Sequence, residues 1–93
     1  MICIPIISTT TKEALNDIKC SVKVADIIEL RLDYIKDLDL EKLFSIKEKP
    51  YIITLRSKEQ GGNFNNSDDE KLALLQKAVD LCADYIDVEY NFP

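Results

Sequence analysis

Four short runs of β-branched and apolar residues alternate with three stretches of helical periodicity along this 93-residue chain. That alternation constrains the fold more than any single motif, because strands and helices in turn build a parallel sheet with helices packed on it. The first strand reads as Ile2–Ser8 (ICIPIIS). Thr10 and Glu13 then have the spacing of a helix capping box, and Ala14, Leu15 and Ile18 supply an apolar stripe for a helix over about 11–21. Asp26–Asp33 (DIIELRLD) is the second strand. Asp37 or Asp39 caps a short helix over about 39–47, with Leu40, Leu43 and Phe44 on one face, and Pro50 ends that region. Tyr51–Ser57 (YIITLRS) is the third strand, followed by the loop Lys58–Asn66 (KEQGGNFNN). Ser67 and Glu70 repeat the capping-box spacing, and Leu72, Leu75, Val79 and Cys82 predict a helix over about 68–83. Tyr85–Tyr90 (YIDVEY) is the fourth strand.

The order βαβαβαβ leaves two architectures, since crossovers between parallel strands are right-handed: an open doubly wound sheet or a (β/α)8 barrel. No G-x-G-x-x-G or G-x-x-x-x-G-K-[ST] follows the first strand, which weakens a nucleotide-binding reading. Side-chain parity favours the barrel. Ile28, Leu30 and Leu32 share one face of the second strand, and Glu29, Arg31 and Asp33 share the other. In the third strand Tyr51, Ile53 and Leu55 lie opposite Thr54 and Arg56. In the fourth, Ile86, Val88 and Tyr90 lie opposite Asp87 and Glu89. A parallel sheet covered on both sides reads as near-continuous apolar runs. Strands with one apolar face and one that turns charged toward the C-terminal end fit a barrel wall, whose inner face becomes a site at the strand ends. The expected class is therefore α/β, the N-terminal part of a TIM barrel, with residues 1–93 a single partial domain of three βα units and a fourth strand.

Charge and composition narrow the chemistry. The net charge is −5 and no Lys/Arg cluster is present, so neither nucleic acid nor an anionic membrane is an expected partner. No apolar run approaches the ~20 residues of a membrane-spanning helix. The chain has no histidine, which removes histidine-based acid/base catalysis and histidine metal ligands from it. Cys3, Cys20 and Cys82 are odd in number, widely spaced and without a C-x-x-C, so they read as buried thiols of a cytoplasmic protein. No basic segment precedes the apolar stretch Ile2–Ile7, so no signal peptide is read there. No cofactor and no metal site is expected.

Arginine usage is selective. Both arginines among twelve cationic residues, Arg31 and Arg56, sit near strand ends on the inferred inner face. A guanidinium offers a rigid fork of donors and stays charged when partly buried. With Glu29 and Glu89 beside them, the two could bind a polyhydroxylated, anionic small molecule. The alternative is that they pair with Glu29, Asp33 or Glu89 as a structural network, because charges buried there need partners.

The strand IIELRLDYI, the strand and loop IITLRSKEQGG and the strand YIDVEY, in that order, resemble the type I 3-dehydroquinate dehydratases. The combination of E-x-R with R-x-x-x-[E/Q]-G-G is the specific part, and the resemblance covers essentially the whole chain. It implies a (β/α)8 barrel of the shikimate pathway that removes water from 3-dehydroquinate to give 3-dehydroshikimate. It implies substrate contacts for Glu29, Arg31 and Arg56. The position four residues after Arg56, often glutamate in the family, is Gln60 here, which can hydrogen-bond but cannot take a proton. Gly61 and Gly62 match a glycine pair that would let a loop fold over the site; the alternative is an ordinary surface turn. Pro5 falls where some members carry a substrate-touching serine.

The resemblance also implies a Schiff-base lysine and a proton-shuttling histidine on later strands. Neither has a counterpart in these residues, so no catalytic residue is assigned. The expectation is an N-terminal portion that holds substrate-orienting groups and shows no dehydratase activity by itself, with a homodimer of the complete protein left open. Two other classes remain: a different barrel enzyme acting on a phosphate or carboxylate, and a non-catalytic α/β module that assembles through its strand edges.

Overall fold

A computed structural model of the chain describes residues 1–55 and 68–87, with side chains from Glu70 onward in the second segment. The elements are β1 (Cys3–Ile6), α1 (Thr11–Ser21), β2 (Ile27–Arg31), a 3₁₀ turn (Leu32–Tyr34), α2 (Leu40–Ser45), β3 (Tyr51–Thr54), α3 (Asp68–Asp80) and β4 (Tyr85–Asp87). All neighbouring strands pair in parallel, in the order β1-β2-β3-β4. A doubly wound sheet would reverse its strand order at some point. Sequential order with right-handed crossovers instead puts every helix on one side, as in a barrel wall.

Register fixes which residues share a face. Pro5, Glu29 and Ile52 are laterally aligned, as are Arg31, Thr54 and Asp87. The opposite face carries Ile6, Ile28, Leu30, Tyr51 and Ile53, all buried. These pack with Ala14 and Ile18 of α1, Leu40 and Leu43 of α2, and Leu75 and Ala78 of α3 in one apolar core. Helix starts are set locally. Thr10 accepts a hydrogen bond from the Glu13 backbone N–H at 3.2 Å, and Asp39 accepts one from that of Lys42 at 3.3 Å, each satisfying a donor that the first helical turn leaves free.

The sheet's N-terminal end is closed by a device used twice. Ala25-Asp26 precedes β2, and Ala83-Asp84 precedes β4. The Asp26 carboxylate accepts from the Ile2 N–H at 2.6 Å, and the Asp84 carboxylate from the Tyr51 N–H at 2.9 Å. Each aspartate thus satisfies a backbone donor at the start of the preceding strand, and Lys47 Nζ adds an ion pair with Asp84 at 2.9 Å. Tyr51 ties the same end of β3 to α2: its hydroxyl donates to the Leu43 carbonyl at 2.8 Å, and its ring meets Phe44 edge to face at 5.2 Å.

Three expectations need correction. β2 stops at Arg31 because the chain turns into the 3₁₀ element, so Leu32 and Asp33 leave the ladder. In α3 the stripe Leu72–Leu75–Val79 is not the buried face. Leu72 and Val79 are about half exposed, while Lys71, Leu75 and Ala78 are buried. Placing Cys82 on the helix tilted the predicted stripe; in fact it lies beyond α3 with φ 73°. There the Ala83 N–H bonds the Ala78 carbonyl and the Cys82 N–H that of Val79, both at 3.0 Å, a Schellman ending with cysteine where glycine is usual. Finally, all three thiols are exposed rather than buried. Cys3 lies on the sheet face away from the helices and Cys82 turns outward at the helix end.

Two outcomes follow from the N-terminal seam. The Lys47 hydrogen bond and the Tyr51 N–H hold the Asp84 carboxyl below the usual carboxylate range. A depressed pKa stabilises the fold above the ordinary value near ~3.9, and that contribution is lost as pH falls through the folded value. Asp84→Asn should therefore melt below wild type at pH 7 by calorimetry, with the two converging below about pH 3. Burial, aided by the Glu48 charge, pushes the Tyr51 hydroxyl up to about 12. Its stabilising effect is complete below the ordinary pKa near ~10 and is lost as pH rises through the folded value. In ultraviolet titration one of the four tyrosines should stay protonated at pH ~11 until the fold opens.

Candidate functional site

The sheet face away from the helices turns polar along the strands. Ile27 gives way to Glu29 and Arg31 on β2, Ile52 to Thr54 on β3, and Tyr85 to Asp87 on β4. Alternation places these residues on one face, and the shared direction of parallel strands gathers their polar ends together. Glu29, Arg31, Thr54 and Asp87 therefore meet at the C-terminal end of the sheet.

Two of these groups are held by neighbours. Thr54, 1% exposed, donates its hydroxyl to Glu29 Oε2 at 2.8 Å, which orients the carboxylate across the β2–β3 pair. Arg31 is gripped by the residue two positions on. Its Nε donates to Asp33 Oδ1 at 3.2 Å and its Nη2 to Oδ2 at 3.0 Å. The Asp33 side chain is fully buried, while that of Arg31 is 20% exposed. Tyr34 lies against the guanidinium, with its ring centroid 5.0 Å from Cζ. Burial opposes the charge of Arg31, but the hydrogen bond and charge of Asp33, helped by Tyr34 and Glu29, outweigh it and raise the pKa.

A latch fixes the loops above these residues. The Thr11 N–H donates to Asp37 Oδ1 at 2.7 Å and its hydroxyl to the Asp37 carbonyl at 2.8 Å, while the Asp39 N–H donates to that hydroxyl at 3.1 Å. The Lys36 N–H reaches the Thr9 carbonyl at 2.9 Å. The loop after β1 is thereby joined to the loop after β2. Ser8 bonds Asp17 beside it.

Glu29 and Arg31 thus share the face that parity implies. Arg56, Lys58, Gln60, Gly61, Gly62 and Glu89 lie outside the described residues. Asp33 is one of the partners that the structural-network alternative named for Arg31, and the pair forms; Thr54 and Tyr34 were not singled out. For Thr54 the signal was present, since it shares parity with Arg56 and register with Arg31. Pro5 sits beside Glu29 on the same face and offers no side-chain hydrogen bond. Among the described residues no group of three His, Cys, Asp or Glu side chains could hold a metal ion. No helix among them is long and apolar enough to cross a membrane.

Thr54→Val removes the hydroxyl at nearly constant volume. It should lower the unfolding free energy by about 1 kcal/mol in urea titrations, with Thr54→Ser losing less.

Comparisons with known proteins agree on one family. The model of the type I 3-dehydroquinases matches residues 2–93. A 3-dehydroquinate dehydratase of Methanococcus maripaludis is 39% identical over 89 residues, covering 96% of this chain and 41% of the relative. A bifunctional chloroplastic 3-dehydroquinate dehydratase/shikimate dehydrogenase of Arabidopsis thaliana is 37% identical over 94 residues, covering 96% of this chain and 16% of the relative. A crystal structure of a type I 3-dehydroquinate dehydratase from Clostridium difficile, with covalently modified comenic acid, superimposes with a TM-score of 0.89 at 27% identity. The match covers 99% of this chain and 41% of that one. The chain spans well under half the length of these relatives.

Proposed function

This chain belongs to the type I 3-dehydroquinase family, and from that membership we propose that it supplies the substrate-orienting part of a 3-dehydroquinate dehydratase. The observation that supports this most directly is the meeting of Glu29, Arg31 and Thr54 on the face away from the helices at the strand C-termini. In barrel enzymes that end of the strands is where chemistry is done.

The roles follow from the groups. 3-Dehydroquinate is a carboxylate with several hydroxyls. Glu29, steadied by Thr54, accepts from a substrate hydroxyl. Arg31 and Arg56 face negative charge on the substrate, the carboxylate first. Dehydration removes a proton from the carbon next to the ketone and expels a hydroxyl as water. In this reading a lysine outside these residues condenses with the ketone, and the iminium draws off the electron pair as the proton leaves. A histidine carries that proton, and it too lies elsewhere, since this chain has none. Residues 1–93 then form a single partial domain whose contribution is binding and orientation. Three exposed, unpaired thiols, Cys3, Cys20 and Cys82, suit a reducing compartment such as the cytoplasm.

The test compares the 93-residue chain with a protein that joins it to the remaining strands. The chain incubated with 3-dehydroquinate should form no conjugated enone absorbance; turnover would refute this division of roles. The joined protein should turn over, and borohydride with substrate should trap a lysine adduct. Glu29→Ala or Arg31→Ala in it should lower kcat/KM by roughly a hundredfold or more with folding retained.

A further inference from the structure

One flank of α3 is unlike anything on the other helices. Leu72 is 47% and Val79 52% exposed, whereas neither α1 nor α2 exposes a large apolar side chain. Leu72 and Val79 stand seven positions apart, on one line of the helix. Successive residues turn by about 100° around an α-helix, which fixes where that line points. Lys71, Leu75 and Ala78 are buried and mark the side that faces the core. About a quarter turn to one side lie Leu74 and Lys77. That side faces α2: Lys77 Nζ meets Glu41 at 3.2 Å, and Leu74 lines a groove with Leu38 and Leu40. About a quarter turn to the other side lie Leu72 and Val79. The stripe therefore points along the wall, away from α2.

The sheet ends on the same side. Among the described residues β4 is the last strand, beyond β3, and an end strand offers its ladder to a further one. An occupant that suits both features has a defined form. It is a strand added in parallel to β4, preceded by a helix that lies over the new seam and lays an apolar face on Leu72 and Val79.

A second copy of this chain does not offer that form. Its β1 can add to β4, but α1 follows β1 and lies over the β1–β2 pair, not over the new seam. Stripe against stripe, two copies join through two large apolar residues each, well short of the ~1,200 Å² that a stable interface buries. The relatives do offer it. The match spans 41% of the Methanococcus maripaludis relative, so the larger part of that protein lies outside it. A barrel wall continued in the same sense brings a helix and then a strand to this side. The receiving surface is already built, since Leu75 and Ala78 seat α3 in the core and Lys77 ties it to α2.

We infer that the outer flank of α3 and the edge of β4 form one docking surface for the helix-and-strand unit that continues the wall, anchored by Leu72 and Val79, and that this surface captures the unit even when it belongs to a separate polypeptide. The inference rests on the family membership of the chain and on no substrate role of Glu29 or Arg31.

The 93-residue chain is mixed, without substrate, with a separate polypeptide comprising the part of the Methanococcus maripaludis relative outside the match. Mass is read by size-exclusion chromatography with light scattering, and a one-to-one complex is expected. Leu72→Asp and Val79→Lys, at exposed positions, should leave the far-ultraviolet circular dichroism of the chain unchanged and weaken the complex by about tenfold or more. Ala73→Asp, exposed on the side of the same helix away from the core, should bind as wild type does. The absence of a complex with the wild-type chain overturns the inference. So does a complex that Leu72→Asp and Val79→Lys leave as tight as Ala73→Asp does. A dimer of the chain alone that Leu72→Asp dissolves also overturns it, and makes a second copy the occupant. A complex that forms through α3 yet fails to turn over 3-dehydroquinate sinks the proposed function and leaves the docking surface standing.

Discussion

A parallel sheet wound in one direction has one face covered by its own crossovers and one that they never reach. Right-handed connections between sequential neighbours carry α1 and α2 across the same side, and Leu75 and Ala78 of α3 join the same core. The covered face must be apolar along its length, and here it is: Ile6, Ile28, Leu30, Tyr51 and Ile53 are all at most 2% exposed. The other face carries no such requirement. Because side chains alternate with period two, every second strand position is released from core packing. Those released positions are where Glu29, Arg31, Thr54 and Asp87 stand.

The two ends of the sheet use polar groups for opposite purposes. At the N-terminal end Asp26 and Asp84 spend their carboxylates on backbone N–H groups, and Lys47 is drawn into the same seam. These contacts satisfy donors that would otherwise face the edge of the sheet unpaired. At the C-terminal end the carboxylates of Glu29 and Asp33 meet side chains instead, a hydroxyl and a guanidinium. A side chain can be turned by its partner while the backbone stays fixed. Stability is thus concentrated below and adjustable polarity above, as in barrels generally.

Periodicity was enough to read the architecture. Strand parity in β2 and β3 and the capping threonine of α1 are local properties, so the order of elements and the polar face were visible in the sequence. What stayed hidden depends on where a chain turns. Nothing in DIIELRLD marks Arg31 as the last ladder residue, so Asp33 reads as a strand residue when it is the anchor of a 3₁₀ turn. Likewise Cys82 extends the apolar spacing of α3, and only its positive φ shows the helix has already ended. Thr54 was legible by register but not by chemistry, since a buried threonine in a strand is ordinary until its hydroxyl is seen to meet Glu29.

The charge balance of the polar face bears on the residues it still needs. Glu29, Asp33 and Asp87 are three carboxylates against the single guanidinium of Arg31 among the described residues. Asp33 already pairs with Arg31, so that couple attracts an anion only weakly, and the chain as a whole is acidic. An anionic ligand approaching this face is favoured by further positive charge there. In the proposed reading Arg56 supplies part of it. It follows Thr54 by two positions, the interval that keeps a strand residue on the same face. Arginine suits that proposed role better than lysine, because a guanidinium stays charged and serves more than one acceptor at once. In that reading a second guanidinium complements the way Asp33 holds the first.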